Sequence, residues 1–130
     1  MSKVVITFGT FDVFHLGHLR ILQRARELGS RLVVGVSTDA LSYSKKGRLP
    51  IYSESERIEI ISSIKYVDDV FLEESLDKKS EYIRFHSAQI LVMGDDWCGK
   101  FDEIKHLCEV VYLARTPSIS TTAIIEKMKN

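Results

Sequence analysis

The sequence predicts an α/β protein built on a five-stranded parallel sheet with helices on both faces. Three observations predict it. Five short apolar runs alternate with segments of helical periodicity along the chain, an order that forms βαβ units with right-handed crossovers. The second run, Leu32-Val33-Val34-Gly35-Val36, is continuously apolar, as in a strand covered on both sides. The loops richest in polar chemistry all follow strand C-termini, the edge at which open parallel sheets bind ligands.

Val4–Phe8 reads as the first strand. Apolar residues at Leu16, Leu19, Ile21, Leu22, Ala25 and Leu28 recur near the 3.6 period of a helix, and Gly29 stands at the C′ position where helices stop. Arg31–Ser37 is the second strand. Ser37-Thr38-Asp39 ends it with capping residues, and a short helix follows over Asp39–Tyr43. Ser44–Tyr52 contains Gly, Pro and three cations with little periodicity, which predicts a mobile surface loop. Ser53-Glu54-Ser55-Glu56 carries a capping-box pattern and opens a helix to about Lys65, with Ile58, Ile61 and Ile64 inward. Tyr66–Leu72 is the third strand, Asp77–His86 a helix and Ile90–Met93 the fourth strand. After the loop Gly94–Lys100 come a short helix at Phe101–Leu107 and a fifth strand at Val110–Leu113. Ser120 can cap a last helix from Thr121 to about Lys129.

The 130 residues suit one domain spanning 1–130. At 45% hydrophobic, the chain can build a core without disulfides or a structural metal. Its 18 basic and 18 acidic residues cancel, which argues against a broad nucleic-acid or acidic-membrane surface and makes any anion site local. Cys98 and Cys108 lack the second pair a zinc site needs and read as reduced thiols. With no membrane-length apolar stretch and no signal-peptide pattern, the expected location is cytoplasmic.

The segment Gly9-Thr10-Phe11-Asp12-Val13-Phe14-His15-Leu16-Gly17-His18 holds the densest chemistry. It places two histidines three apart in a helix's first turn, beside unpaired backbone N–H groups, an arrangement suited to phosphate. A bound phosphate favours protonated histidine. Gly9 permits a sharp turn and close approach to a ligand, Gly17 lets a phosphate chain pass close to the backbone, and Thr10 and Phe11 offer N–H groups. Asp12 fits either a Mg²⁺ contact or hydrogen bonds to the loop backbone. Ser120-Thr121-Thr122 is a second anion-binding helix start, or simple N-capping, with Arg115 five residues earlier. Lys46 and Arg48 lie on the expected loop, and Arg57 and Lys65 eight apart share a helix face. These are cations for phosphate, or in the plainer reading a solvated loop and surface ion pairs with Glu56 or Glu59. The acids Asp95 and Asp96 suit a base, sugar or substrate hydroxyl, and Trp97 either anchors its loop or lines a site.

The series Gly9-Thr10-Phe11-Asp12 with His15-x-Gly17-His18, then Val67-Asp68-Asp69-Val70, Met93-Gly94-Asp95-Asp96-Trp97 with Gly99-Lys100-Phe101-Asp102, Arg115-Thr116 and Ile119-Ser120-Thr121-Thr122 resembles the glycerol-3-phosphate cytidylyltransferases of the nucleotidylyltransferase superfamily. The resemblance spans nearly the whole chain. It implies a Rossmann-like, homodimeric, Mg²⁺-dependent enzyme that joins CTP to glycerol 3-phosphate, releases pyrophosphate and supplies CDP-glycerol for teichoic-acid or capsule polymers. By position it implies that Thr10, Phe11, His15, Gly17, His18, Ser120 and Thr121 hold the triphosphate. Lys46, with Arg48 as the second loop cation, and Arg57 and Arg115 would face phosphate groups. Asp95 and Thr116 would lie with the nucleotide, and Asp39 at the edge of the site. Lys65 stands where arginine is expected, so a bidentate fork is lost. Pro117-Ser118 stand where some members carry a Glu-Gly pair, and Lys45 and Lys46 could exchange roles. The competing readings are another polyol or sugar phosphate acceptor, ATP in place of CTP, and a non-catalytic nucleotide-binding module.

Overall fold

A computed structural model describes residues 3–114 and 120–129. Five strands, β1 (Val4–Gly9), β2 (Arg31–Ser37), β3 (Asp69–Glu73), β4 (Ile90–Gly94) and β5 (Glu109–Leu113), form one sheet in the order β3-β2-β1-β4-β5. Every neighbouring pair is parallel. The strand order reverses between β1 and β4, so their C-terminal ends flank the crevice where such sheets bind ligands.

The alternation of side chains along the strands divides the core. Val5, Leu32, Val34 and Val36 pack on one face with Leu22 and Ala25 of α1 (Leu16–Glu27) and Ile61 of α3 (Glu54–Ser62). Ile6, Phe8, Val33 and Leu91 pack on the other with Ile83 of α4 (Lys79–Phe85), and with Ile104 from a 3₁₀ segment at Asp102–His106. The expected helix at Phe101–Leu107 is this 3₁₀ segment.

The segment expected as a loop from Ser44 instead continues α2 (Asp39–Lys46). Gly47, at φ +72°, ends the helix by donating its N–H to the Tyr43 carbonyl. Lys46 therefore sits in a helix's last turn. Helix α3 stops three residues before Lys65, because the Ser62 and Ser63 hydroxyls donate to the Glu59 carbonyl and the Ser63 and Ile64 N–H groups fall back to i−3 carbonyls. The third strand begins at Asp69; the preceding Val67 packs against the core with its N–H bonded back to the Ile64 carbonyl. The helix expected at Asp77–His86 splits into a 3₁₀ turn at Leu76–Lys78 and the shorter α4.

Gly29 is at C′ of α1, and its reason is steric: a Cβ there would lie 2.4 Å from the Lys3 carbonyl oxygen. Gly29→Ala is expected to lower the unfolding free energy by about 1–3 kcal/mol, read from urea melts.

Candidate active site

The turn after β1 carries two non-glycine residues in the left-handed region, Phe11 (φ 55°) and Val13 (φ 47°). Such residues persist only where their surroundings hold them. Phe11 is one anchor: its ring is buried in the core and lies where a Cβ on Gly9 would be, 2.9 Å away. The space at Gly9 thus goes to Phe11. Asp12 is the other anchor. Its carboxylate accepts the N–H groups of Val13 (3.1 Å), Ile51 (2.7 Å) and Tyr52 (2.9 Å), and its carbonyl accepts the Thr121 hydroxyl (2.8 Å). Of the two readings of Asp12, the loop-backbone one has its hydrogen bonds in place.

His15 is the N-cap of α1. Its Nδ1 accepts the Gly17 N–H at 3.0 Å, and the His18 Nδ1 accepts the His15 N–H at 3.2 Å. The rings stack with centroids 3.8 Å apart. A backbone N–H can only donate, so each Nδ1 is an acceptor and each neutral ring carries its proton on Nε2. Burial lowers the His15 pKa, and burial, then His15 and Lys46, push that of His18 down to about 3. The chain's own surroundings therefore favour two neutral Nε2–H donors, not imidazolium.

Arg57 is the main relocation. It is fully buried and does not line the cavity. Its Nε donates to the Tyr52 carbonyl (3.0 Å), NH1 to the carbonyls of Thr10 (2.9 Å) and Ser37 (2.7 Å), and NH2 to the Asp39 carboxylate (2.7 Å). Arg57 and Asp39 therefore form a structural ion pair behind the site, with neither Glu56 nor Glu59 as partner. Lys65 is exposed beyond α3, over the ring of Tyr66, and lies outside the cavity.

A cavity of about 640 Å³ opens at the C-terminal ends of β1 and β4. Of the candidate residues, Gly9, Thr10, Phe11, Asp12, His15, Gly17, His18, Lys46, Asp95, Ser120 and Thr121 line it. Ser120 also caps α5 (Thr121–Lys129), its Oγ accepting the Ala123 N–H. Trp97 lines the cavity and packs against the Phe101 ring at a 34° tilt, so it is both wall and loop anchor. Arg48 lines a small adjoining recess of about 70 Å³ with Lys46. Arg115 and Thr116 lie outside the described residues.

The cavity also has lining residues that the sequence reading left out: Arg24, Glu73 and Lys79. Lys45 lines it too, beside Lys46, so the two lysines do not exclude each other. Lys79 and Glu73 are buried and paired at 2.6 Å. Glu73 sits at a strand's C-terminal end, where Gly9 and Gly94 also sit; ending the third strand at Leu72 concealed it.

The chain belongs to the cytidylyltransferase-like family, which matches residues 6–127. Within that class it is similar to the glycerol-3-phosphate cytidylyltransferase of Bacillus subtilis (strain 168), with 48% identity over 97% of both chains. The enzyme of the same name from Staphylococcus aureus (strain NCTC 8325 / PS 47) is 42% identical over 97% of this chain and 95% of its own. Among solved structures, the lipopolysaccharide core biosynthesis protein of Thermoplasma volcanium GSS1 superposes with a TM-score of 0.77 at 28% identity, covering 89% of this chain and 99% of the other.

Two expectations follow. Long-range ¹H–¹⁵N spectra should show both rings as Nε2–H tautomers near neutral pH. Because the folded pKa values lie below the ordinary 6.5, the stability they contribute is complete above that pH and falls as pH drops toward about 3. Arg57→Ala should cost on the order of 3–5 kcal/mol, as breaking a buried ion pair does, read by chemical denaturation.

Proposed function

We propose that this protein transfers the cytidylyl group of CTP to glycerol 3-phosphate, forming CDP-glycerol and pyrophosphate. One observation supports this most directly. A single cavity combines two Nε2–H donors, a helix N-terminus and a separate lysine cluster, as a reaction between two phosphates requires. The full-length similarity to two glycerol-3-phosphate cytidylyltransferases supports the choice of nucleotide and acceptor. The cavity's volume is in the ordinary range for small-molecule sites, roughly 300–1,000 Å³.

In the proposed reaction, an acceptor phosphate oxygen attacks the α-phosphorus. The new P–O bond forms as the α–β bridge breaks, and the electron pair leaves on pyrophosphate. The chain's task is to place two anions together and stabilise charge on the transferring group. The Nε2–H groups of His15 and His18 donate to phosphate oxygens, Lys46 and the α5 N-terminus hold the triphosphate, and Lys45 and Lys79 receive the acceptor's phosphate. Arg115 and Thr116 belong to this proposal through the resemblance.

Mg²⁺ belongs to the same proposal. Both Asp12 oxygens are engaged with backbone N–H groups, so this donor set suits a cation that enters on the triphosphate better than one caged by protein. When bound, such an ion would neutralise phosphate charge, with Asp95 on the cavity wall as a carboxylate within the site. No helix among the described residues is long and apolar enough to cross a membrane. A cytoplasmic homodimer completes the proposal.

Incubation with CTP or ATP and each of several polyol phosphates, followed by pyrophosphate release and product mass, tests the reading. CDP-glycerol should dominate; release with ATP but not CTP would overturn the nucleotide choice. His15→Ala and His18→Ala should each lower kcat/KM by about 10²–10³, the usual loss for one transition-state donor.

A further inference from the structure

The lysine cluster has an acid built into it. Glu73 Oε2 lies 2.6 Å from Lys79 Nζ, and Glu73 Oε1 accepts the Ser37 hydroxyl at 3.3 Å. Ser37 Oγ in turn accepts from Lys45 Nζ at 3.1 Å. One carboxylate thus serves two ammonium groups, Lys79 directly and Lys45 through a hydroxyl. Glu73 is 1% exposed and Lys79 is 3% exposed, yet both border the cavity. We propose that Glu73 is a positioning residue for the transfer, holding Lys45 and Lys79 charged and aimed at the acceptor's phosphate without itself touching substrate. The inference rests on the reading above for what the lysines receive, but not for what Glu73 does to them.

A buried ammonium tends to shed its proton, because burial disfavours the charged form. Burial lowers both lysine pKa values here, and Glu73 opposes it in each case. The other charges facing Lys45 are Lys79, Lys46 and Arg57, all of which lower its pKa further. Lys79 has the Phe8 ring centroid 3.9 Å from its ammonium and that of Phe101 at 5.0 Å, contacts that favour a cation. Glu73 is therefore the acid that offsets the cost of two lysines in this wall. It does so without cancelling the site: two ammonium groups and one carboxylate leave one positive charge, the complement of an arriving anion. With a neutral residue there, burial would act on both lysines unopposed, and a second acid would repel the phosphate.

Glu73→Gln keeps the shape and a hydrogen-bonding oxygen but removes the charge. NMR titration of the lysine side chains, assigned with Lys45→Arg and Lys79→Arg, should show both midpoints falling by a unit or more in Glu73→Gln. Ser37→Ala, which breaks only the bridge, should lower Lys45 and leave Lys79 in place. In turnover, Glu73→Gln should move the alkaline limb of kcat/KM toward neutral pH. KM for glycerol 3-phosphate should rise about tenfold or more, with KM for CTP within about twofold. Glu73→Asp should restore much of the loss. Unmoved lysine midpoints would overturn the role of Glu73, as would an alkaline limb that stays in place while both KM values rise together. Should Glu73→Gln not fold, the Ser37→Ala titration decides: a Lys45 midpoint that does not fall overturns the proposal. If the unaltered protein fails to turn over CTP with glycerol 3-phosphate, the functional reading falls while the titrations still judge Glu73.

Discussion

A single buried guanidinium holds the mouth of this sheet together. Arg57 projects from α3 and donates to carbonyls at Thr10, Ser37 and Tyr52, which belong to the turn after β1, the end of β2 and the approach to α3. Thr10 and Tyr52 lie outside the strands and helices and Ser37 is the last residue of β2, places where a buried carbonyl needs a donor. The Asp39 carboxylate balances the charge. Asp12 complements this from the acceptor side, taking backbone N–H groups from Ile51 and Tyr52 and, through its carbonyl, the hydroxyl of Thr121. Arg57 and Asp12 satisfy both polarities of the irregular backbone between α2 and α3. The turn with two positive-φ residues can then stay fixed, as the proposed alignment of two phosphates would need.

The electrostatics follow from this scaffold. The two histidines cap α1 through their Nδ1 atoms, so the helix consumes one nitrogen of each ring and leaves the other as a donor. A second proton on either ring would break a cap hydrogen bond and charge a partly buried ring beside the other histidine. In the proposed reaction, neutral donors would stabilise developing phosphate charge and leave the cationic role to Lys46. The permanent charge is left to lysines, and the buried ones among them are paired with one acid.

Much of this was legible in the sequence. The alternation of apolar runs with helical periodicity placed all five strands and the sheet edge that carries the site. The His15–His18 spacing placed both histidines at a helix start. Errors arose where tertiary context overrides local pattern. Ser44-Lys45-Lys46 reads as loop because it is polar, yet the last turn of α2 faces solvent and the cavity and so needs no apolar residue there. Arg57 reads as a surface cation, though it lies four residues before the buried Ile61 and hence on the same inward face; that spacing was the available signal. The ion pair of Lys79 with Glu73 joins the end of a strand to a helix start, and a third strand ended one residue early left Glu73 outside the pattern.

A chain with no net charge can still present a strongly polarised cavity, because its acids and bases are sorted by depth. Exposed pairs such as Arg31–Asp69 at 3.6 Å and Lys105–Asp102 at 3.5 Å sit in solvent and contribute little. The charges that matter are those the fold withdraws from water. Asp39 neutralises Arg57 behind the cavity, while Glu73 only partly neutralises Lys45 and Lys79 beside it. Full pairing serves architecture, and in the proposed function incomplete pairing serves binding. That difference in balance, more than the number of cations, distinguishes the wall that supports the site from the wall proposed to receive an anion.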